Sequence, residues 1–198
     1  MIVNKPFLIS IYMFILLGCF TLLGCVHIPD QRVQAYSTPA ATNVTQFYPS
    51  GLRNSSIRPG KCWETSLAAP RLDAWRCIAS ATIYDPCFSS PHYDNYVICD
   101  AAPVGDTRGL KITLIDALPR STATSADHRP WTLRLSDGAV CTFLTGTAPI
   151  IDNQRVNYGC TNDAVIPGNP TMGSVWTVRE ELPGTNTLVT RQVTDAWT

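Results

Sequence analysis

The most reactive side chains in this sequence are its eight cysteines, at positions 19, 25, 62, 77, 87, 99, 141 and 160. A thiol can be acylated, ligate a metal, act as a nucleophile or close into a disulfide, and spacing decides among these. None of the last six lies within three residues of another, so no Cys-x-x-Cys is present to hold zinc or run thiol exchange. Neither a metal nor a cofactor is expected. The serine elbow Gly-x-Ser-x-Gly, Ser-x-x-Lys and His-Glu-x-x-His are also absent. Of the three histidines, His27 lies beside Cys25, and His92 and His128 stand in loop-like sequence. Asp73, Asp85, Asp94 and Asp100 could supply the carboxylate pair of a glycosidase, but each reads first as a turn or cap residue. Catalysis is therefore not the expectation, and a cell-wall or other envelope hydrolase is the alternative.

The first two cysteines differ from the rest. Each ends a Leu-Leu-Gly-Cys tetrapeptide, at 16–19 and again at 22–25, behind Lys5 and a nearly unbroken apolar run from Phe7 to Leu23. That is the build of a secretory signal, and the tetrapeptide resembles the lipobox of bacterial lipoproteins. The resemblance implies diacylglycerol on the Cys thiol, cleavage just before that Cys, and a lipid-anchored N-terminus. Cleavage before Cys19 would leave an apolar tail with a second thiol, whereas cleavage before Cys25 exposes the polar Val26-His-Ile-Pro-Asp. Cys25 is thus the expected lipidation site, with residues 1–24 as signal peptide; the alternative is an uncleaved anchor over Phe7–Leu23. Val26 after the lipid cysteine implies, by resemblance to sorting signals, the outer membrane.

Export fits the remaining composition. Six downstream cysteines form an even set that can close entirely into disulfides in an oxidising compartment. Fifteen basic residues balance fifteen acidic ones, so no long-range field singles out nucleic acid as a partner. Residues 25–60 are rich in Ser, Thr, Pro, Asn and Gln without apolar periodicity, which predicts an extended tether, or a segment that folds on a partner. The folded domain is expected over 61–198.

Within that domain the elements that must position any site are strands. "RCIASATIY", "YVICD", "LKITLID", "WTLRL", "AVCTFLT", "QRVNYGC", "SVWTVREEL" and "TLVTRQVTDAW" alternate or run apolar between turn signals. The expected fold is all-β, mainly antiparallel, a sandwich or barrel, with one short helical turn through Ala74-Trp75-Arg76 capped by Asp73. Ser136-Asp137-Gly138 suits a three-residue hairpin loop with Gly in the left-handed position. Pairing Leu135 with Ala139 puts Leu133 opposite Cys141 and Trp131 opposite Phe143, all on one face. A Cys141–Cys160 bridge then sets Tyr158 beside Phe143 and Val156 beside Thr145. The other four cysteines allow three pairings; nearest neighbours, Cys62–Cys77 and Cys87–Cys99, are preferred.

The stretches "CWETSLAAPRLDAWRC", "IYDPCF", "PWTLRLSDGAVCTF" and "NYGC" resemble a small cysteine-containing domain of uncharacterised secreted proteins and lipoproteins of bacteria, over about residues 61–165. The likeness implies compartment and fold, with no activity attached. Of the five tryptophans, Trp131 and Trp176 fall on apolar strand faces. Trp75, flanked by Asp73 and Arg76, could instead present an exposed aromatic to a protein partner, or pack over a disulfide. The expected function is a non-catalytic binding or accessory subunit of an envelope assembly, held at the membrane through Cys25. Its domain would occupy the periplasmic side or the cell surface.

Overall fold

The computed structural model describes residues 39–124 and 129–198, apart from the side chains of 54–56 and 93–94. Cys19, Cys25, His27, the signal peptide, the first part of the tether, His128 and the Asp94 side chain therefore lie outside the described residues. Pro39–Thr198 form one compact unit. Among the described residues all regular structure is β, as the strand signals predict.

Five strands close into the first barrel: β2 (Gly51–Thr65), β3 (Ala74–Ala79), β4 (Thr82–Ser90), β5 (Tyr93–Cys99) and β6 (Arg108–Leu114). Neighbours pair antiparallel except at the closure, where β6 runs parallel to β2, with Arg58 beside Ile112 and Gly60 beside Leu114. Gly60 is tightly held between both neighbours of β2: its ideal Cβ would stand 2.5 Å from the Ile78 carbonyl oxygen of β3 and 2.8 Å from Ile112 Cγ2 of β6. Alternate residues point inward, and Cys77, Cys87, Val97, Cys99 and Ile112 fill the barrel.

The second barrel is a ring of β7 (Thr132–Leu135), β8 (Val140–Phe143), β10 (Gln154–Cys160), β11 (Val165–Pro167), β12 (Trp176–Glu181) and β13 (Leu188–Trp197), closed by β13 on β7. A two-residue β9 (Ile150–Ile151) pairs only with β10. At the outer edge β1 (Asn43–Thr45) lies parallel to the end of β13, Asn43 beside Asp195 and Thr45 beside Trp197. Leu133, Leu135, Cys141, Tyr158, Ile166 and Val193 form the core.

The expected central register holds. Leu133 faces Cys141, the Leu135 N–H donates to the Ala139 carbonyl at 2.9 Å, and Gly138 takes the left-handed φ of 89°. Tyr158 pairs with Phe143 and Cys160 with Cys141. Beyond Tyr158 the ladder leaves β8: Val156 is in register with Pro167 and donates its N–H to Pro149 rather than running beside Thr145. The three disulfides are Cys62–Cys77, Cys87–Cys99 and Cys141–Cys160. Each joins directly opposed residues on neighbouring strands, and such bridges contribute roughly 2–4 kcal/mol each.

A third cluster joins the barrels. Phe47, which precedes β2, sits with Phe88 at 5.7 Å and Trp131 at 5.6 Å between ring centroids, both near edge-to-face. Such pairs add about 0.5–1.5 kcal/mol beyond burial. Trp131 is buried as expected and lies opposite Phe143, whose N–H donates to its carbonyl at 2.8 Å; its ring belongs to this third cluster.

Two expectations are corrected. Ala74-Trp75-Arg76 is the start of β3 and not a helical turn, because Asp73 grips Arg71 through two hydrogen bonds of 2.8 and 2.6 Å instead of capping the chain. The folded part also begins well before Lys61. Part of the polar segment assigned to a tether forms β1 and most of β2, held by β13 and β6, and Phe47 within it is 6% exposed.

Candidate functional site: the cleft between the barrels

Asp85 is the organising side chain of this region. It ends in a carboxyl only 2% exposed, on β4 just before the cis bond to Pro86. Ser66 donates its hydroxyl to the carboxyl, and the Leu67 and Ala68 N–H groups donate at 3.1 and 3.4 Å. The Ser66 oxygen in turn accepts from the Ala69 N–H at 2.8 Å. Arg76 Nε stands 3.8 Å away. Burial pushes the Asp85 carboxyl above its ordinary pKa, outweighing these donors. Chemically this is a clamp: Ser66 donates to one side and accepts on the other, so its hydroxyl fastens the 66–69 loop.

The sequence-nominated surface residues separate. Trp75 is 5% exposed and packs in the first barrel with Cys62 and Cys77, donating Nε1–H to Ser89 Oγ at 3.0 Å. The alternative of packing over a disulfide is the one adopted, so Trp75 presents nothing outside. Asp73 is engaged by Arg71. Arg76 does reach the surface side, donating to Glu64 at 2.9 Å with its guanidinium 5.4 Å from the Trp63 ring centroid. Trp63 is 40% exposed, so the presented aromatic beside Arg76 is Trp63.

Sequence reasoning also misses Arg71. Its guanidinium donates to the Phe47 carbonyl at 2.7 Å and the Thr198 carbonyl at 2.8 Å, and lies over the Tyr48 and Phe88 rings. The only local signal is the Arg71-x-Asp73 spacing; the carbonyl partners are 24 and 127 residues away.

Next to the Asp85 clamp a cleft of about 430 Å³ opens between the barrels, within the range of small-molecule sites, roughly 300–1,000 Å³. Its walls combine Asp85, Pro86, Asp100 and Pro103 of the first barrel's side with Trp131 and Thr132 of the second. Two of the four nominated aspartates thus share one space. Both are occupied, Asp85 as above and Asp100 by Arg53 at 2.6 Å. Two other groups have no partner: Trp131 Nε1 and Thr132 Oγ1 are buried without a hydrogen bond.

Cys77, Cys87 and Cys99 hold their sulfurs within 4.8 Å of one another, the distance range of a metal-binding cluster, but all three sulfurs are bonded in disulfides. Comparison with protein-family models, curated proteins and solved structures finds no match to this chain.

Proposed function

We propose that this chain is a lipoprotein anchored through Cys25 at the outer membrane. Its disulfide-stabilised double barrel serves as a non-catalytic binding or accessory subunit of an envelope assembly, such as a secretion-system outer-membrane complex. The observation that carries this is cysteine use. All six cysteines downstream of Cys25 close pairwise into bridges, which suits an oxidising compartment and leaves Cys25 without a disulfide role among them. The exposed Trp63 ring with Arg76 stacked on it offers a protein partner the residue types that anchor interfaces. The envelope hydrolase is the second reading, favoured by Asp85 and Asp100 sharing the cleft and opposed by the donors that already occupy both.

Affinity capture from detergent-solubilised envelopes tests it, with the wild-type chain and Cys25→Ser compared. A stoichiometric partner held by the wild type, and loss of acylation and membrane association in Cys25→Ser, are expected. Cys19→Ser should remain anchored. No partner, together with turnover of a wall fragment by the purified chain, would favour the hydrolase.

A further inference from the structure

Val97 and Cys99 of β5 point into the first barrel, so Tyr96 and Ile98 between them lie on its outer face. There they line a groove of about 400 Å³ together with Phe88 of β4 and with Tyr48, Pro49 and Leu52 from the entry to β2, a volume in the range of small-molecule sites. Tyr48 is 60% exposed and Tyr96 is half-buried, so both rings are within reach of a ligand. The lining contains no Asp or Glu. Its three serines are already engaged inside the protein, Ser50 with Thr107 at 2.6 Å, Ser89 with the Trp75 indole at 3.0 Å and Ser90 with the His92 N–H at 3.3 Å. The groove therefore offers mainly aromatic and aliphatic surface.

Beside this surface stands a cation without a counter-charge. Lys111 of β6 is in register with Ile98, and its ammonium is 4.2 Å from the Tyr96 ring centroid. Among the described residues it has no ion pair. The other cation near the lining, Arg71 over the Tyr48 and Phe88 rings, is neutralised by Asp73 at 2.6 Å. We propose that the groove binds a small amphiphilic anion of the fatty-acid class, its apolar chain against Tyr48, Leu52 and Ile98 and its carboxylate at the Lys111 ammonium. Apolar surface with one positive charge beside it complements an apolar body with one negative charge. A cationic ligand would meet Lys111 with no carboxylate in the lining to receive it, and a sugar would find the serine hydroxyls taken. An apolar peptide also carries a terminal carboxylate, but it binds through its backbone too. In the closed barrel β2, β4 and β5 are each paired on both sides, which leaves no strand edge to receive one. The site goes beyond the accessory role above: it needs neither acylation of Cys25 nor Trp63, which lies outside the lining, so either can fail without the other.

The test uses the full chain in phosphatidylcholine nanodiscs, its tyrosine rings labelled with 13C. The Tyr48 and Tyr96 signals are assigned through Tyr48→Phe and Tyr96→Phe. Octanoate is titrated at neutral pH beside octylammonium, which has the same chain and the opposite charge, and beside N-acetyl-leucyl-phenylalanine, an apolar peptide with a terminal carboxylate. Expected is a saturable shift of both tyrosine signals with octanoate, which should bind about tenfold more tightly than octylammonium. Lys111→Gln should weaken octanoate about fivefold and Lys111→Arg should keep it, which separates the charge from the packing of the side chain. Tyr48→Ala, at an exposed position, should weaken octanoate with Tm unchanged. Tyrosine signals unmoved by octanoate overturn the proposal, and so does octylammonium binding as tightly or a Lys111→Gln chain that binds octanoate as the wild type does. Binding of the dipeptide without octanoate would assign the groove to a peptide and overturn it equally.

Discussion

Cys77 and Cys87 belong to different disulfides yet hold their sulfurs within 4.8 Å of each other inside the first barrel. A thiolate released by opening one bridge therefore lies beside the sulfur of the other, where exchange proceeds through attack on a disulfide. Peptide mapping of the native protein should give the three native links and no free thiol. After limited reduction and reoxidation, the leading wrong link should join Cys77 to Cys87 or to Cys99, whose sulfurs lie within the same 4.8 Å. A leading wrong link from Cys141 or Cys160 into the first barrel would contradict the separation of the two cores.

Trp75 and Trp63 should behave oppositely. Trp75→Ala empties a buried site and should cost about 3–5 kcal/mol in denaturant unfolding. Trp63→Ala should change stability by no more than about 0.5 kcal/mol. Capture of an envelope partner should instead weaken by about 2 kcal/mol for Trp63→Ala, and Arg76→Ala should follow the same direction. Equal partner binding by wild type and Trp63→Ala would remove this surface as the interface.

Asp85 sets a pH dependence whose sign follows from burial. A carboxyl raised above its ordinary value of 3.8 favours the protonated native form. Its contribution is fully present below that value and is lost as pH rises through the raised folded-state value. The stability advantage of wild type over Asp85→Asn should therefore be largest in acid and shrink as pH increases, measured by urea unfolding across a pH series. An advantage that grows with pH would mean that the hydrogen bonds from Ser66, Leu67 and Ala68 outweigh burial.

Gly60→Ala tests how tightly β2 is packed between β3 and β6. The added methyl would meet the Ile78 carbonyl oxygen at 2.5 Å and Ile112 Cγ2 at 2.8 Å, and backbone cannot move aside as a side chain can. A loss of about 1–3 kcal/mol is expected, read as a lower urea midpoint with unchanged slope. An unchanged midpoint would show that β3 and β6 approach β2 less closely at Gly60 than their pairing implies.

What the sequence discloses depends on where the decisive partner lies. Ser136-Asp137-Gly138 is legible because glycine marks the left-handed position, and the register of Leu133, Cys141, Tyr158 and Cys160 follows by counting twos. The neighbouring-cysteine preference in the first barrel also holds. The β3–β4 hairpin is not legible: "RCIASATIY" reads as one strand, yet Ser80 and Ala81 adopt left-handed φ of 50° and 64°, a turn that normally advertises Gly or Asn. Polar β2 is hidden for another reason. Its stability comes from pairing with β6, its neighbour in the barrel but distant in sequence, which composition does not record. Trp131 reads as one more strand-face aromatic because nothing local announces Phe47 and Phe88 as its neighbours.

The short β1 has a mechanical consequence. It lies parallel to β13, and the Phe47 N–H bonds to the Thr198 carbonyl while the Thr198 N–H bonds to the Thr45 carbonyl. A pull on the chain ahead of Pro39, opposed by a hold near Thr198, would run along these two strands in opposite directions. It would load their hydrogen bonds in shear, so that they must rupture together instead of unzipping singly. The Arg71 guanidinium, bonded to both Phe47 and Thr198, acts as a rivet across that same seam.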